Sequence, residues 1–181
     1  MEPVLKGMAR SKLLIALAAP LLAVGCDGAP AGTPSDTAAA DVRQLGAPIV
    51  QTGFVTDAAG VLDDAAEQRL TARLHALEQV THHQMVIVTT PSLGGEDILF
   101  YTVDLARRWG IGRKGHNDGV VVLVAPNERK VRISVGYGLE STLTDPRCKE
   151  IIEQDMLPTF KQGDFAGGLE RGVDSLVALL R

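Results

Sequence analysis

Cysteine is scarce in this 181-residue chain: only Cys26 and Cys148 occur. If Cys26 is otherwise engaged, Cys148 has no partner and no internal disulfide can form. Basic clusters are missing as well. Lys and Arg number 18 against 22 Asp and Glu, a net charge of -4, and no concentrated basic face exists with which to bind nucleic acid. No apolar run is long enough to span a bilayer by itself. The glycine-rich stretch Trp109 to Gly119 lacks the Gly-Lys-Ser/Thr ending of a Walker loop. Neither a cysteine-arginine phosphatase loop nor a strand-leading Asp-x-Asp is present, so no recognised covalent phosphatase nucleophile is supplied.

What is present begins with an export signal. Lys6, Arg10 and Lys12 precede the apolar run Leu13 to Gly25, and Met8 is an alternative start. The run ends in Ala23-Val24-Gly25-Cys26, which resembles a bacterial lipobox in which Cys26 is lipidated after removal of residues 1–25. The alternative is an ordinary signal peptide cleaved nearby. Lipidation would anchor the chain to a cell membrane facing the periplasm or the cell exterior, without a spanning helix. Residues 26–48 are rich in Ala, Gly, Pro, Ser and Thr and bury too little to fold, so they read as a linker. The folded domain is expected over 49–181, as a monomer.

Within it, Asp64 and Glu67 read as a capping box, followed by Ala66, Leu70, Leu74 and Leu77 at helical spacing to about Val80. Met85 to Thr89 is a β-branched run fit for a buried strand. A second helix carries Ile98, Thr102, Leu105 and Trp109 on one face. Gly119 to Ala125 is uniformly apolar, which suits a strand covered on both faces. Val131, Ile133 and Val135 alternate with Arg132 and Ser134 and should pair antiparallel with it across the Pro126 to Lys130 turn. Asp145 reads as the cap of a helix running to Pro158, and Phe165, Leu169, Val173, Leu176 and Leu180 mark the last helix. The order α-β-α-β-β-α-α predicts an α/β fold: a three-layer α/β/α sandwich whose small mixed sheet is covered by helices on both faces.

Gly110, Gly112 and Gly115 stand at the spacing of a dinucleotide fingerprint. They leave a helix C-terminus and enter a strand, the reverse of the order that aims a helix N-terminus at a pyrophosphate. Nucleotide is therefore not expected, and Gly110 reads as a helix C-cap. If the flanking strands run parallel, Asn117-Asp118 and the loop Gly136 to Glu140 emerge at the same end of the sheet, with Asp145 nearby. Asp118, Glu140, Asp145 and the Asn117 amide then offer hard oxygen donors suited to Ca2+ or Mg2+. Each acid also has a local explanation in turn or cap chemistry. His75, His82, His83 and His116 lack the spacing of a zinc site.

The stretches Val55 to Leu62, Trp109 to Gly112, Asn117 to Val120, Val135 to Glu140 and Thr144-Asp145 resemble the successive motifs of the TPM-domain family. The resemblance implies an α/β/α sandwich with an acidic surface cavity. It adds Asp57 to the candidate metal donors. For some members divalent cation binding and acid phosphatase activity have been proposed, and the resemblance points to a role in assembling or maintaining membrane proteins. On a metal-dependent phosphomonoesterase reading, the metal activates a water and Arg113 or Lys114 neutralises the phosphate. Tyr137, between two glycines, is then a candidate recognition side chain or lid, or else packs against Trp109.

Overall fold

The computed structural model describes residues 48–181. The expected signal peptide, Cys26 and nearly all of the linker lie outside the described residues. The sheet has four strands in the order β1-β2-β3-β4: β1 (Val55–Asp57), β2 (Gln84–Thr89), β3 (Gly119–Ala125) and β4 (Lys130–Val135). β1, β2 and β3 are parallel and β4 returns antiparallel to β3. β1 is absent from the order expected above, because three residues are too few to show a period. It forms by pairing with β2, Val55 opposite Ile87 and Asp57 opposite Thr89.

Alternation along the strands creates two cores. Met85, Ile87, Val120, Val122, Val124 and Ile133 face α1 (Asp64–Thr81), the 145–160 segment and α5 (Phe165–Leu180). Val86, Val88, Val121, Leu123 and Ala125 face α2 (Ile98–Trp109). β3 is buried at every residue, as its apolar run requires. The three-layer sandwich is therefore present, but unequally built, since among the described residues a single helix covers the second face.

Local chemistry explains the helix ends. α1 is capped by Asp63, whose Oδ1 accepts from the Ala66 amide at 2.6 Å, and not by Asp64, which lies in the first turn. Ala66, Leu70, Leu74 and Leu77 are fully buried. α2 starts at the Asp97 cap and stops at Gly110, whose φ of 65° places it in the left-handed region. α3 (Asp145–Ile151) has Thr144, not Asp145, at its extended cap position. The helix also does not end before Pro158. A π turn (Ile152–Met156) intervenes, with the Leu157 amide donating to Ile152 O, and α4 (Leu157–Phe160) follows. A proline ring clashes with the carbonyl four residues back, and a widened turn relieves that clash. Cys148 is buried in the first core, and that burial pushes its thiol pKa up.

Candidate functional site

At the end of the sheet where β3 begins, two loops close directly on each other. The Gly138 amide donates to Asn117 O at 3.0 Å and the Gly136 amide to Gly119 O at 2.8 Å. The loops bearing Asn117-Asp118 and Gly136 to Glu140 do meet, but backbone on backbone. A Cβ on Gly136 would stand 2.1 Å from Asn117 O, and one on Gly138 2.0 Å from His116 O. No cavity can lie between chains this close. The glycines of the loop thus serve close packing and tight turns, as does Asn117 with its left-handed φ of 50°.

Asp118 closes this end electrostatically. It is buried, and its carboxylate accepts from the Arg113 amide at 2.8 Å, from Arg113 Nε at 2.7 Å and from Arg113 Nη2 at 2.6 Å, with His83 Nδ1 at 3.4 Å. Burial alone would raise its pKa. The Arg113 guanidinium and amide, with His83, overcome that and hold it at about 2. Arg113, expected as a phosphate contact, is thereby tied to Asp118, whereas Lys114, the other expected contact, is exposed. His83 joins a carboxylate that its sequence spacing does not reveal, although it has no further ligand partner.

The opposite end, where the parallel strands finish, is open. A cavity of about 1240 Å³ runs from the β1-side flank of α2 (Tyr101, Asp104, Arg108) around the strand ends to Asp57 and Glu67. Asp57 is fixed at the tip of β1: its Oδ2 accepts from the Leu62 amide at 2.8 Å and its Oδ1 from the Thr89 hydroxyl. Glu67 lies in the first turns of α1. Its carboxyl pKa is raised by burial and by the negative charges of Asp57 and Asp64. Glu96 adds a further acid to the lining, while Asp104 is paired with Arg108 at 2.8 Å. The rim at residues 91–95 is held by the β3–β4 turn. Asn127 Nδ2 donates to Pro91 O at 2.8 Å, and Glu128 Oε1 accepts from the Leu93 amide at 2.8 Å and the Ser92 hydroxyl at 3.1 Å. Burial opposes ionisation of Glu128, but the Leu93 amide and Ser92 hydroxyl hold its pKa low.

A second opening lies on the other flank of α2. It is a groove of about 700 Å³ over β4, and Tyr137, Glu140 and Asp145 line it together with Arg107 and Arg132. Tyr137 is 81% exposed, so it does not pack against Trp109. The expected single cavity is therefore divided among three places. Asp57 ends one parallel strand and Asp118 precedes another, which puts them at opposite ends of the sheet, while Glu140 and Asp145 sit on the β4 flank. Among the described residues no three His, Cys, Asp or Glu side chains are grouped closely enough to hold a metal ion.

The TPM domain family model matches residues 55–179. The chain belongs to the TPM-domain family. The solution NMR structure of the N-terminal domain of a protein from P. gingivalis is similar at 37% identity and a TM-score of 0.67, covering 71% of this chain and 82% of that one. The N-terminal domain of the cg2496 protein from Corynebacterium glutamicum shares the fold at 19% identity and a TM-score of 0.56, over 74% and 83% of the two chains. The BA42 protein from Bizionia argentinensis does so at 18% and 0.58, over 66% and 81%. No match is found among the curated proteins.

Sequence reasoning missed Glu67, Glu96 and Asp104 in this TPM domain. They come from α1, from the loop before α2 and from α2 itself, and share no local pattern. A usable signal was nonetheless present. Val55-Thr56-Asp57 is a β-branched pair followed by an acid, and in parallel sheets ligands bind beyond the carboxyl ends of strands.

Proposed function

We propose that this TPM domain is a binding module whose acidic cavity at the carboxyl ends of β1 and β2 recruits a divalent cation, Ca2+ or Mg2+. The observation that carries this is that Asp57 at the tip of β1, Glu67 in the first turns of α1 and Glu96 line one open cavity, where burial first, and then the negative charges of Asp57 and Asp64, raise the Glu67 pKa, charges that a bound cation would offset. The donors are hard carboxylate oxygens. Each Asp57 oxygen already accepts one hydrogen bond, and a carboxylate retains further lone pairs. One or two carboxylates with retained water would hold the ion, a manner of binding that suits Mg2+ and weakly held Ca2+. Lipidated Cys26 would keep the exported module at the surface of a cell membrane, facing the periplasm or the cell exterior, where a role in assembling or maintaining membrane proteins fits.

Titrating Ca2+ and Mg2+ into the 15N-labelled protein tests the cavity. Amide signals of residues 57–67 should move, and Asp57→Asn should abolish the movement. If those signals stay still, the cation reading fails; if residues 116–119 and 137–145 move instead, the site belongs to the other loops. Hydrolysis of a generic phosphomonoester that requires both metal and Asp57 would favour the phosphatase alternative. Unchanged membrane partition of Cys26→Ser would defeat the lipid anchor.

A further inference from the structure

The groove between α2 and β4 is separate from the acidic cavity and differs from it in chemistry. Its floor is β4, Leu99 and Val103 form the α2 wall, and Arg107 and Arg132 supply positive charge. β4 is the last strand of the sheet. The Gly136 amide bonds to Gly119 O, and these two residues continue the register that pairs Val120 with Val135. Hydrogen-bonded pairs alternate along an antiparallel ladder. Ser134, Arg132 and Lys130 therefore turn their backbone groups toward β3, and Val135, Ile133 and Val131 turn theirs outward. Among the described residues, none of these outward groups has a backbone partner beyond the sheet. Side chains alternate as well: those of Val131, Ile133 and Val135 pack against the core on the far face, which leaves those of Arg132 and Ser134 on the groove side of a strand that lines the groove from Arg132 to Val135. A strand laid on this edge would send every second side chain into the groove.

Charge selects the occupant. Among the described residues neither Arg107 nor Arg132 has a carboxylate at ion-pair distance. Among the described residues Arg132 Nε is buried without a hydrogen-bond partner, so this part-buried guanidinium is poorly satisfied where it stands and gains from an acceptor at its accessible end. Glu140 and Asp145 also line the groove, so it accepts a carboxylate beside the arginines rather than along its whole length. A second copy of this chain fits poorly, because antiparallel β4–β4 pairing would set rows containing Lys130 and Arg132 against each other. We infer that an extended, acidic segment of a partner protein adds to the free edge of β4, with a carboxylate side chain held by Arg132 and Arg107.

The test uses the full 15N-labelled chain and a capped peptide of alternating valine and glutamate, with an alternating valine-lysine peptide as control. The glutamate peptide should shift the amides of Val131, Ile133 and Val135 and slow their exchange with solvent, and the lysine peptide should do neither. Arg132→Gln and, separately, the exposed Arg107→Gln should each weaken binding about tenfold, as expected for one charged hydrogen bond. Equal binding of the two peptides would overturn the inference. So would shifts reproduced by free glutamate without strand protection, which would make the groove an anion pocket, or protection that depends on protein concentration alone, which would make the edge a self-association surface. Full affinity in Arg107→Gln, whose folding is not in question, would remove the carboxylate clamp even if Arg132→Gln failed to fold.

Discussion

The two ends of the sheet carry similar-looking sequence, acids among glycines, and the fold puts them to opposite uses. At the start of β3, Asp118 is buried against Arg113 and His83, and Gly136 and Gly138 let two loops touch. At the end of β1, Asp57 stands at the lip of an open cavity with Glu67 nearby, and a Cβ on Gly60 would meet nothing within 4 Å. A carboxylate with a guanidinium partner stabilises; one gathered with its like repels, and remains free to act on something else. The difference lies in the neighbours, not in the residue types.

The glycines at the two ends should differ most. Gly138→Ala should cost about 3 kcal/mol through overpacking, whereas Gly60→Ala should cost only the left-handed strain, about 1 kcal/mol. Thermal unfolding of both variants would show it, and equal losses would refute the claim that one end is closed by close packing. Next, Asp118→Asn should lose about 2 kcal/mol at pH 7, because a buried charged hydrogen-bond network is broken. Asp57→Asn should lose about 1 kcal/mol, since its amide and hydroxyl partners can still be met. Denaturant midpoints distinguish the two, and a larger loss at Asp57 would invert the assignment.

The ends should also differ in the sign of their pH dependence. Asp118 is held at about 2 against an ordinary 3.8, so its contribution is present above the unfolded pKa and is lost as pH falls through the folded one. Stability measured between pH 4 and 2 should drop, and Asp118→Asn should flatten that limb. Glu67 has a raised pKa, so the folded state binds its proton more tightly than the unfolded state does. Its contribution is greatest below the unfolded value and is lost as pH rises through the folded one. Glu67→Gln should therefore raise stability at pH 7 slightly, by about 0.3 kcal/mol, the scale of a like-charge contact. A loss there would mean that Glu67 has a favourable partner.

Much of the fold was legible from periodicity. The stripe Ala66, Leu70, Leu74, Leu77 and the alternation Val131, Ile133, Val135 each matched one buried face. Caps were legible to within a residue: Asp63 replaces Asp64, and Thr144 replaces Asp145. At α1 two adjacent carboxylates compete for the same amides and the backbone angles settle which one caps, while Thr144 holds the cap position of α3 without a side-chain hydrogen bond. The helix through Pro158 ran on because a π turn absorbed the proline, something a local rule does not foresee. The site was less legible. The meeting of the Asn117 and Gly138 loops followed from topology, but whether a space remained between them did not.

Residue pattern alone was enough for membership of the TPM-domain family and for most helices and strands with their buried faces, though not for β1 or the π turn. Tertiary structure alone decided which acids are engaged and which are open. The attraction of Arg113 for Asp118 and the repulsion between Asp57 and Glu67 are set by distance and burial in three dimensions. Short-range pattern carries neither quantity, because electrostatic energy depends on separation through space and on access to water rather than on separation along the chain.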